Sequence, residues 1–153
     1  MTSITYVGMD VHTTNYTLCC YSVEDDRPFA QIQLKPEYTE ILKYLDRIKK
    51  QRGSDTRFIC GYEAGCLGYS LYHQLTNHGV ECVIMAPTTM PVAPGKRVKT
   101  DRKDAENISR CLAYHLYKSV HIPTDEDDSI KEYIRMRGDV NAHLKQTKQQ
   151  ILS

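Results

Sequence analysis

Four acidic residues stand where their carboxylates could hold metal ions. Asp10 and Glu63 end two short apolar runs, and Asp101 and Asp104 lie three residues apart. Carboxylates that converge near a core repel each other and are costly to desolvate, and a divalent cation between them removes both costs. Mg²⁺ prefers oxygen ligands, and two such ions can hold the attacking and leaving oxygens of a phosphodiester in line. The four acids therefore predict a metal site for phosphoryl transfer.

The predicted elements bring these acids together. Residues 4–10, 16–23 and 29–34 have the composition of strands and indicate three antiparallel strands. Residues 57–63 and 80–86 are apolar runs typical of buried strands, and the helical stretch between them predicts parallel pairing with a right-handed crossover. In a mixed sheet the strands that end in Asp10 and Glu63 can be neighbours, so both carboxylates are expected at one edge.

Four helices are predicted from apolar residues at helical spacing. The third begins at Asp101 and extends to about Tyr117, and its two acids continue an apolar stripe, so they are expected to point toward the sheet. The last begins near Ser129 and still looks helical at Ser153, which indicates a fragment of a longer protein. The stripes of the first three helices are Ile41, Leu42, Leu45 and Ile48; Leu67, Leu71 and Leu75; and Ala105, Ile108, Leu112 and Leu116.

Each acid also has a simpler structural interpretation. Asp101 could be a helix N-cap, Asp104 could favour the helix dipole, and Asp10 could cap a turn. The order of the four acids along the predicted elements favours the metal site over these separate roles. Residues 125–128 are four consecutive acids, which cannot converge on one metal pair and are expected to form a solvated linker.

Basic residues surround the last two acids. A cationic rim beside a metal site suits a polyanionic substrate, because it can hold the phosphates that flank the scissile one. The alternative is an ordinary solvated run of charges. His12, two residues after Asp10, could reach the site but is more typical of a turn histidine. The predicted phosphate-binding residues are Lys96, Arg97, Lys99, Arg102 and Lys103, of which the first three lie on a proline-rich loop.

The bulk composition is that of a globular domain. The chain has 153 residues, 41% of them hydrophobic and 25% charged, with a net charge of +1, so any nucleic-acid surface must be a local patch. The six cysteines form no C-x-x-C pair and are expected to be free buried thiols. With no signal peptide and no membrane-spanning apolar run, we expect the protein in a reducing cytoplasm.

Three segments resemble the DEDD-type transposases of insertion sequence family 110, to which pilin-gene-inverting recombinases are related. They are residues 7–21, 61–75 and 94–112. The third is the most specific, because it contains the family's K-T-D-x-x-D-A signature. The resemblance covers about residues 4–117, and the family's four acids fall on Asp10, Glu63, Asp101 and Asp104.

The resemblance implies a RuvC-like domain with an RNase H fold, an α/β mixed sheet flanked by helices, over residues 1–121. An acidic linker would follow at 122–128, and residues 129–153 would start a coiled-coil region for dimers or higher oligomers. Such proteins cleave and exchange DNA strands with Mg²⁺, for which Mn²⁺ should substitute, and are guided by a structured bridge RNA. The resemblance also implies a second domain that supplies a catalytic serine, which we expect to lie outside these 153 residues.

Two other functions remain open from the sequence. A nucleotide-binding module of the actin-like ATPase class shares the RNase H topology, and residues 10–17 loosely match its first phosphate loop. The chain is too short, however, for the two duplicated halves of that class. A non-catalytic module for RNA binding and dimerisation is the other alternative. Stabilisation by ATP would favour the first, and light scattering with an RNA-binding assay would test the second.

Overall fold

The computed structural model describes residues 3–87 and 100–152. The chain divides into two compact units, Met1–Val120 and His121–Ser153. The described part of the first unit holds a sheet and three helices, and that of the second holds one long helix. In the part of the chain that is described, no helix combines the length and apolar character needed to cross a membrane.

The sheet has five strands in the order β3-β2-β1-β4-β5. The strand β2 is antiparallel to both of its neighbours, whereas β1, β4 and β5 are mutually parallel. The predicted α/β mixed sheet, with an antiparallel hairpin and a parallel β-α-β segment, is therefore confirmed. The bounds are β1 Ile4–Val11, β2 Tyr16–Ser22, β3 Arg27–Leu34, β4 Arg57–Glu63 and β5 Glu81–Met85.

The helices differ from the predicted ones at their ends. The second starts after Leu67, and the third stops before Leu116, whose side chain is 46% exposed. Its stop coincides with a positive φ of 54° at His115, a conformation that cannot continue a helix. The bounds are α1 Tyr38–Arg52, α2 Ser70–Asn77, α3 Asp101–Ala113 and α4 Asp125–Leu152.

The last helix begins at Asp125, not near Ser129 as expected. The hydroxyl oxygen of Thr124 accepts a hydrogen bond from the backbone N–H of Asp127 at 3.2 Å, and its carbonyl accepts one from Asp128 at 2.9 Å. Thr124 thus caps the helix, and the acidic run expected as a linker forms its first turn. Negative charge is favourable there because of the helix dipole.

The two faces of the sheet are covered by different helices. The face that carries Cys20 packs on α1, where the Cys20 thiol lies 3.0 Å from the Tyr44 hydroxyl. On the same face the Tyr62 hydroxyl donates to the carbonyl of Gly68, just before α2. The other face packs on α3, which contacts all of the first four strands. Five cysteines are buried and all six are free, but Cys66 is exposed, contrary to the expectation for it.

Candidate metal centre

Adjacent parallel strands put Asp10 and Glu63 in equivalent positions. Met9 of β1 is the register partner of Tyr62 of β4, and each acid is the next residue along its strand. Asp10 is the last but one residue of β1, and Glu63 is the last residue of β4. Neighbouring strands lie about 4.8 Å apart, so these two acids share one end of the sheet, as the sequence indicated.

Gly8 of β1 allows α3 to lie close to the face that holds these acids. A Cβ atom at Gly8 would lie 2.2 Å from the carbonyl oxygen of Ala105 and 2.3 Å from the backbone nitrogen of Ser109. Only a glycine fits at such a distance from helix backbone. Because side chains alternate along a strand, Asp10 points to the same face as Gly8. The acid of β1 therefore faces the start of α3.

The start of α3 has a defined cap. Thr100 is the N-cap residue, and its hydroxyl accepts a hydrogen bond from the backbone N–H of Lys103 at 3.4 Å. The interpretation of Asp101 as the N-cap is therefore wrong. Asp101 is the first residue of the helix and Asp104 follows in its first turn, where the dipole favours both charges.

The turn between β1 and β2 contacts acids from two elements. The His12 side chain places Nε2 3.2 Å from the Asp10 carboxylate, and the Asn15 amide donates to Asp101 at 3.4 Å. The turn is closed by a 3.0 Å bond from the backbone N–H of His12 to the carbonyl of Asn15. One ligand atom from each of Asp10, His12 and Asp101 lies within 4.8 Å of the other two. This group of three is the candidate metal centre.

The carboxyl of Asp10 is held in an unfavourable electrostatic position. Burial raises its pKa above the ordinary value of 3.8, and the negative charges of Asp104 and Asp101 raise it further. The contact with His12 acts in the opposite direction but does not cancel the rise. A divalent cation at this point would compensate for both burial and repulsion. The hard oxygen donors of the two acids are the type that Mg²⁺ and Mn²⁺ bind.

Glu63 and Asp104 are near this group but are not members of it. Asp104 is close enough for its charge to act on Asp10. Glu63 acts electrostatically on Cys111 of α3, whose pKa is raised mainly by burial and then by this charge. Both acids thus lie on the α3 side of the sheet. The group of three within 4.8 Å, hereafter the 4.8 Å group, contains His12, whereas Glu63 and Asp104 were the expected partners of Asp10 and Asp101.

The basic residues are described only in part. Arg102 and Lys103 are exposed in the first turn of α3, where they lie between Asp101 and Asp104 in the sequence. Lys96, Arg97 and Lys99 lie outside the described residues. The described part of the predicted cationic rim is therefore two residues long.

The sequence carries little signal for two residues at the site. His12 is typical of a turn histidine, and Asn15 ends a short polar turn. The signal for His12 is that it lies two residues after Asp10. Residues two apart share a face only while a strand continues, so at the end of β1 this spacing does not fix where the side chain points. Nothing in the sequence indicates that Asn15 meets Asp101, since that contact depends on how α3 packs against the hairpin.

The chain is similar to several known proteins. The model of the DEDD-type IS110 transposase family, described as "Transposase", matches residues 7–153. The transposase for insertion sequence element IS1533 of Leptospira borgpetersenii is 28% identical over 148 residues, covering 96% of this chain and 42% of that protein. The putative transposase y4qE of Sinorhizobium fredii (strain NBRC 101917 / NGR234) is 36% identical over 94 residues, covering 61% of this chain and 24% of that protein.

The solved structure of T. thermophilus RuvC in complex with a Holliday junction substrate is similar with a TM-score of 0.48 and 10% identity. The similarity covers 76% of this chain and 99% of the RuvC chain. The present chain spans less than half the length of the two curated relatives. Since the family model extends over nearly all of its residues, the chain belongs to the DEDD-type IS110 transposase family.

Proposed function

We propose that this chain is the metal-binding catalytic part of a DNA transposase or recombinase. The observation that carries the proposal is the convergence of Asp10 and Asp101, which lie far apart in the chain, within 4.8 Å of each other. A divalent cation would offset the repulsion between two carboxylates at that distance and the burial that raises the pKa of Asp10. Membership of a transposase family supports phosphoryl transfer on DNA as the chemistry.

The proposed ligands of Mg²⁺, or of Mn²⁺ in its place, are Asp10, Glu63, Asp101 and Asp104. Glu63 lies at the same end of the sheet as Asp10, and Asp104 lies in the same helix turn as Asp101. Side-chain rotation can therefore bring both to a shared ion. When bound, the metal would supply Lewis-acid activation of the scissile phosphodiester. The chain's own acids would fix the ion, with Asp10 and Glu63 supplied by the strand ends and Asp101 and Asp104 by the first turn of α3.

The proposed DNA-binding residues are Lys96, Arg97, Lys99, Arg102 and Lys103. Support comes from Arg102 and Lys103, which are exposed beside the acids and can meet phosphates that flank the reacting one. A structured guide RNA, a serine supplied by a further domain and a cytoplasmic location in bacteria complete the proposal. These parts rest on the family alone.

The proposed oligomer is a homodimer or higher assembly through α4. Taken by itself, α4 exposes a row of apolar side chains, among them Ile130, Tyr133, Val140 and Leu144, each at least 51% exposed. Ile130, Leu144 and Ile151 fall at heptad spacing with Tyr133 and Val140 at the intervening positions, a pattern typical of a coiled coil. Arg137 interrupts the row.

Mn²⁺ soaking of crystals of the chain tests the metal site. We expect anomalous density among Asp10, Glu63, Asp101 and Asp104, and its loss in Asp10→Ala, while the exposed Asp55→Ala variant keeps it. Thermal stabilisation by Mn²⁺ without ATP is expected in the same samples. No density among the four acids, or stabilisation that needs ATP, would contradict the proposal, and the second result would favour the actin-like alternative.

A salt titration tests the DNA-binding residues. Each lost phosphate contact should lower the slope of log affinity against log salt by about 1. We expect Arg102→Ala and Lys103→Ala each to weaken binding of duplex DNA to the same extent for any DNA sequence. In the double variant the decrease in slope should be about twice that in either single variant. Lys49→Ala, at the end of α1, is the control. An unchanged slope in the double variant would exclude these two residues from the interface.

A further inference from the structure

His12 is the member of the 4.8 Å group that is not an acid. Its Nε2 atom lies 3.2 Å from Asp10 Oδ2. Two donor atoms that each lie about 2.1 Å from one octahedral ion, at right angles, are separated by roughly 3 Å. The observed separation is thus close to that of two ligands of one ion, and Asp101 lies near enough to be a third after a modest side-chain rotation.

The β1–β2 turn holds His12 in this place. Thr14 donates to the Asn15 side-chain oxygen at 2.9 Å, which leaves the Asn15 amide group to donate to Asp101 at 3.4 Å. The backbone bond between His12 and Asn15 closes the turn at 3.0 Å. The turn is therefore attached to the start of α3 on one side and to Asp10 on the other, and its imidazole lies beside both acids.

The imidazole is also accessible. The His12 side chain is 49% exposed, while that of Asp10 is 15% exposed. An ion that arrives from solvent would therefore meet the imidazole before or together with the buried acid. Its contact with Asp10 is the one hydrogen bond of the His12 ring that is seen among the described residues, so the ring can turn from the acid to an ion with little loss.

We propose that His12 is a nitrogen ligand of the metal ion, so that the site binds through one imidazole and carboxylates and not through carboxylates alone. This inference rests on the proposed function, since it concerns the same ion. Imidazole favours first-row transition metals over Mg²⁺, which takes oxygen donors. The imidazole therefore adds more to the affinity of the site for Mn²⁺ than to its affinity for Mg²⁺, which depends mainly on the acids.

The test is pulsed electron paramagnetic resonance of the Mn²⁺ complex of the whole 153-residue chain. A nitrogen ligand gives a ¹⁴N hyperfine coupling on the Mn²⁺ signal, which does not depend on catalytic activity. We expect this coupling in the unmodified chain and in His143→Gln, whose exposed histidine lies on α4, and its absence in His12→Gln. In calorimetry, His12→Gln should lower Mn²⁺ affinity about tenfold or more and change Mg²⁺ affinity much less.

The outcomes separate the two proposals. A Mn²⁺ complex without nitrogen coupling, or a coupling that persists in His12→Gln, overturns the role of His12 and leaves the acidic site standing. A chain that binds neither Mn²⁺ nor Mg²⁺ overturns the metal site itself. Equal loss of Mn²⁺ and Mg²⁺ affinity in His12→Gln would also contradict a nitrogen ligand, because it would indicate a general disturbance of the acids.

Discussion

The two faces of the sheet are made by the same strands but carry different kinds of residue. On the face under α1 and α2, Met9 and Tyr62 are large and fully buried. On the face under α3, the neighbouring positions are Gly8 and Gly61, which are register partners. Each of these glycine positions is followed two residues later by an acid of the proposed site.

The difference shows how one strand can serve stability and chemistry together. Alternation of side chains sends every second residue to a face that only has to bury apolar surface. On the other face, the glycines let a helix come close, and the acids that follow them carry charges that are costly to bury. Removing side chains under α3 is thus what allows Asp101 to approach Asp10. Substitutions under α3 should therefore affect metal binding as well as folding, whereas substitutions under α1 and α2 should affect folding alone.

The largest effect is expected from Gly8→Ala. Its new methyl group would meet the backbone of Ala105 and Ser109, which cannot rotate away, so the variant should lose about 3 kcal/mol of unfolding free energy or more. Gly61→Ala is the matched control on the adjacent strand, because the nearest atoms to its methyl would belong to the flexible side chains of Leu112 and Met85, at 3.1 Å. Urea unfolding and Mn²⁺ titration measure both variants.

In Gly8→Ala, any folded protein should also bind Mn²⁺ more weakly, since α3 must move away from β1. Gly61→Ala should lose less stability and keep most of its Mn²⁺ affinity. Equal losses of stability in the two variants would show that the close approach of α3 at Gly8 has no special importance.

A smaller effect of opposite sign is expected from Asp10→Asn without metal. The pKa of Asp10 is raised on folding, so between its ordinary value of 3.8 and the raised one the native chain binds more protons than the unfolded chain. Stability therefore falls as pH rises through that window, and the cost is fully present above it. Replacing the carboxylate should raise the unfolding free energy at pH 7 by on the order of 1 kcal/mol.

Thermal melts across pH measure this gain, which should shrink toward pH 3.8. With Mn²⁺ present the order should reverse, because the unmodified chain gains binding energy that Asp10→Asn lacks. Asp55→Asn, exposed in the turn before β4, is the control. A gain for Asp10→Asn that does not vary with pH would contradict burial of the charge as its cause.

The sequence predicted the strands well because their apolar runs and turns are local signals. It was less accurate at the ends of helices, which depend on single caps and turns, and where tertiary packing decides the outcome. The end of α3 depends on the backbone conformation of His115, and the start of α4 depends on the cap supplied by Thr124. The four acids were predicted from their places at strand ends and at a helix start, and their role as ligands stays a prediction. The positions of His12 and Asn15 follow from the docking of the hairpin on α3, which no local pattern encodes.

The smallest expected effects concern two buried hydroxyls, one on each face. Among the described residues, the hydroxyl oxygens of Thr5 and Thr17 are buried without a hydrogen-bond partner. Thr17 is the register partner of Asp10 and so shares its face, while Thr5, an odd number of residues from Asp10 on β1, points to the face under α1 and α2. An unpaired buried hydroxyl costs about 1 kcal/mol or more.

Thr5→Val and Thr17→Val should each raise the unfolding free energy by about 1 kcal/mol without metal, since valine has the same shape and no unpaired group. Mn²⁺ retains waters when it binds, and a water beside Asp10 offers the Thr17 hydroxyl a partner. The gain for Thr17→Val should therefore shrink with Mn²⁺ bound, while that for Thr5→Val stays constant. Thermal melts with and without Mn²⁺ measure both gains. If Mn²⁺ changes the two gains equally, the hydroxyl of Thr17 is as remote from the ion as that of Thr5, and the two faces do not differ in their distance from the metal.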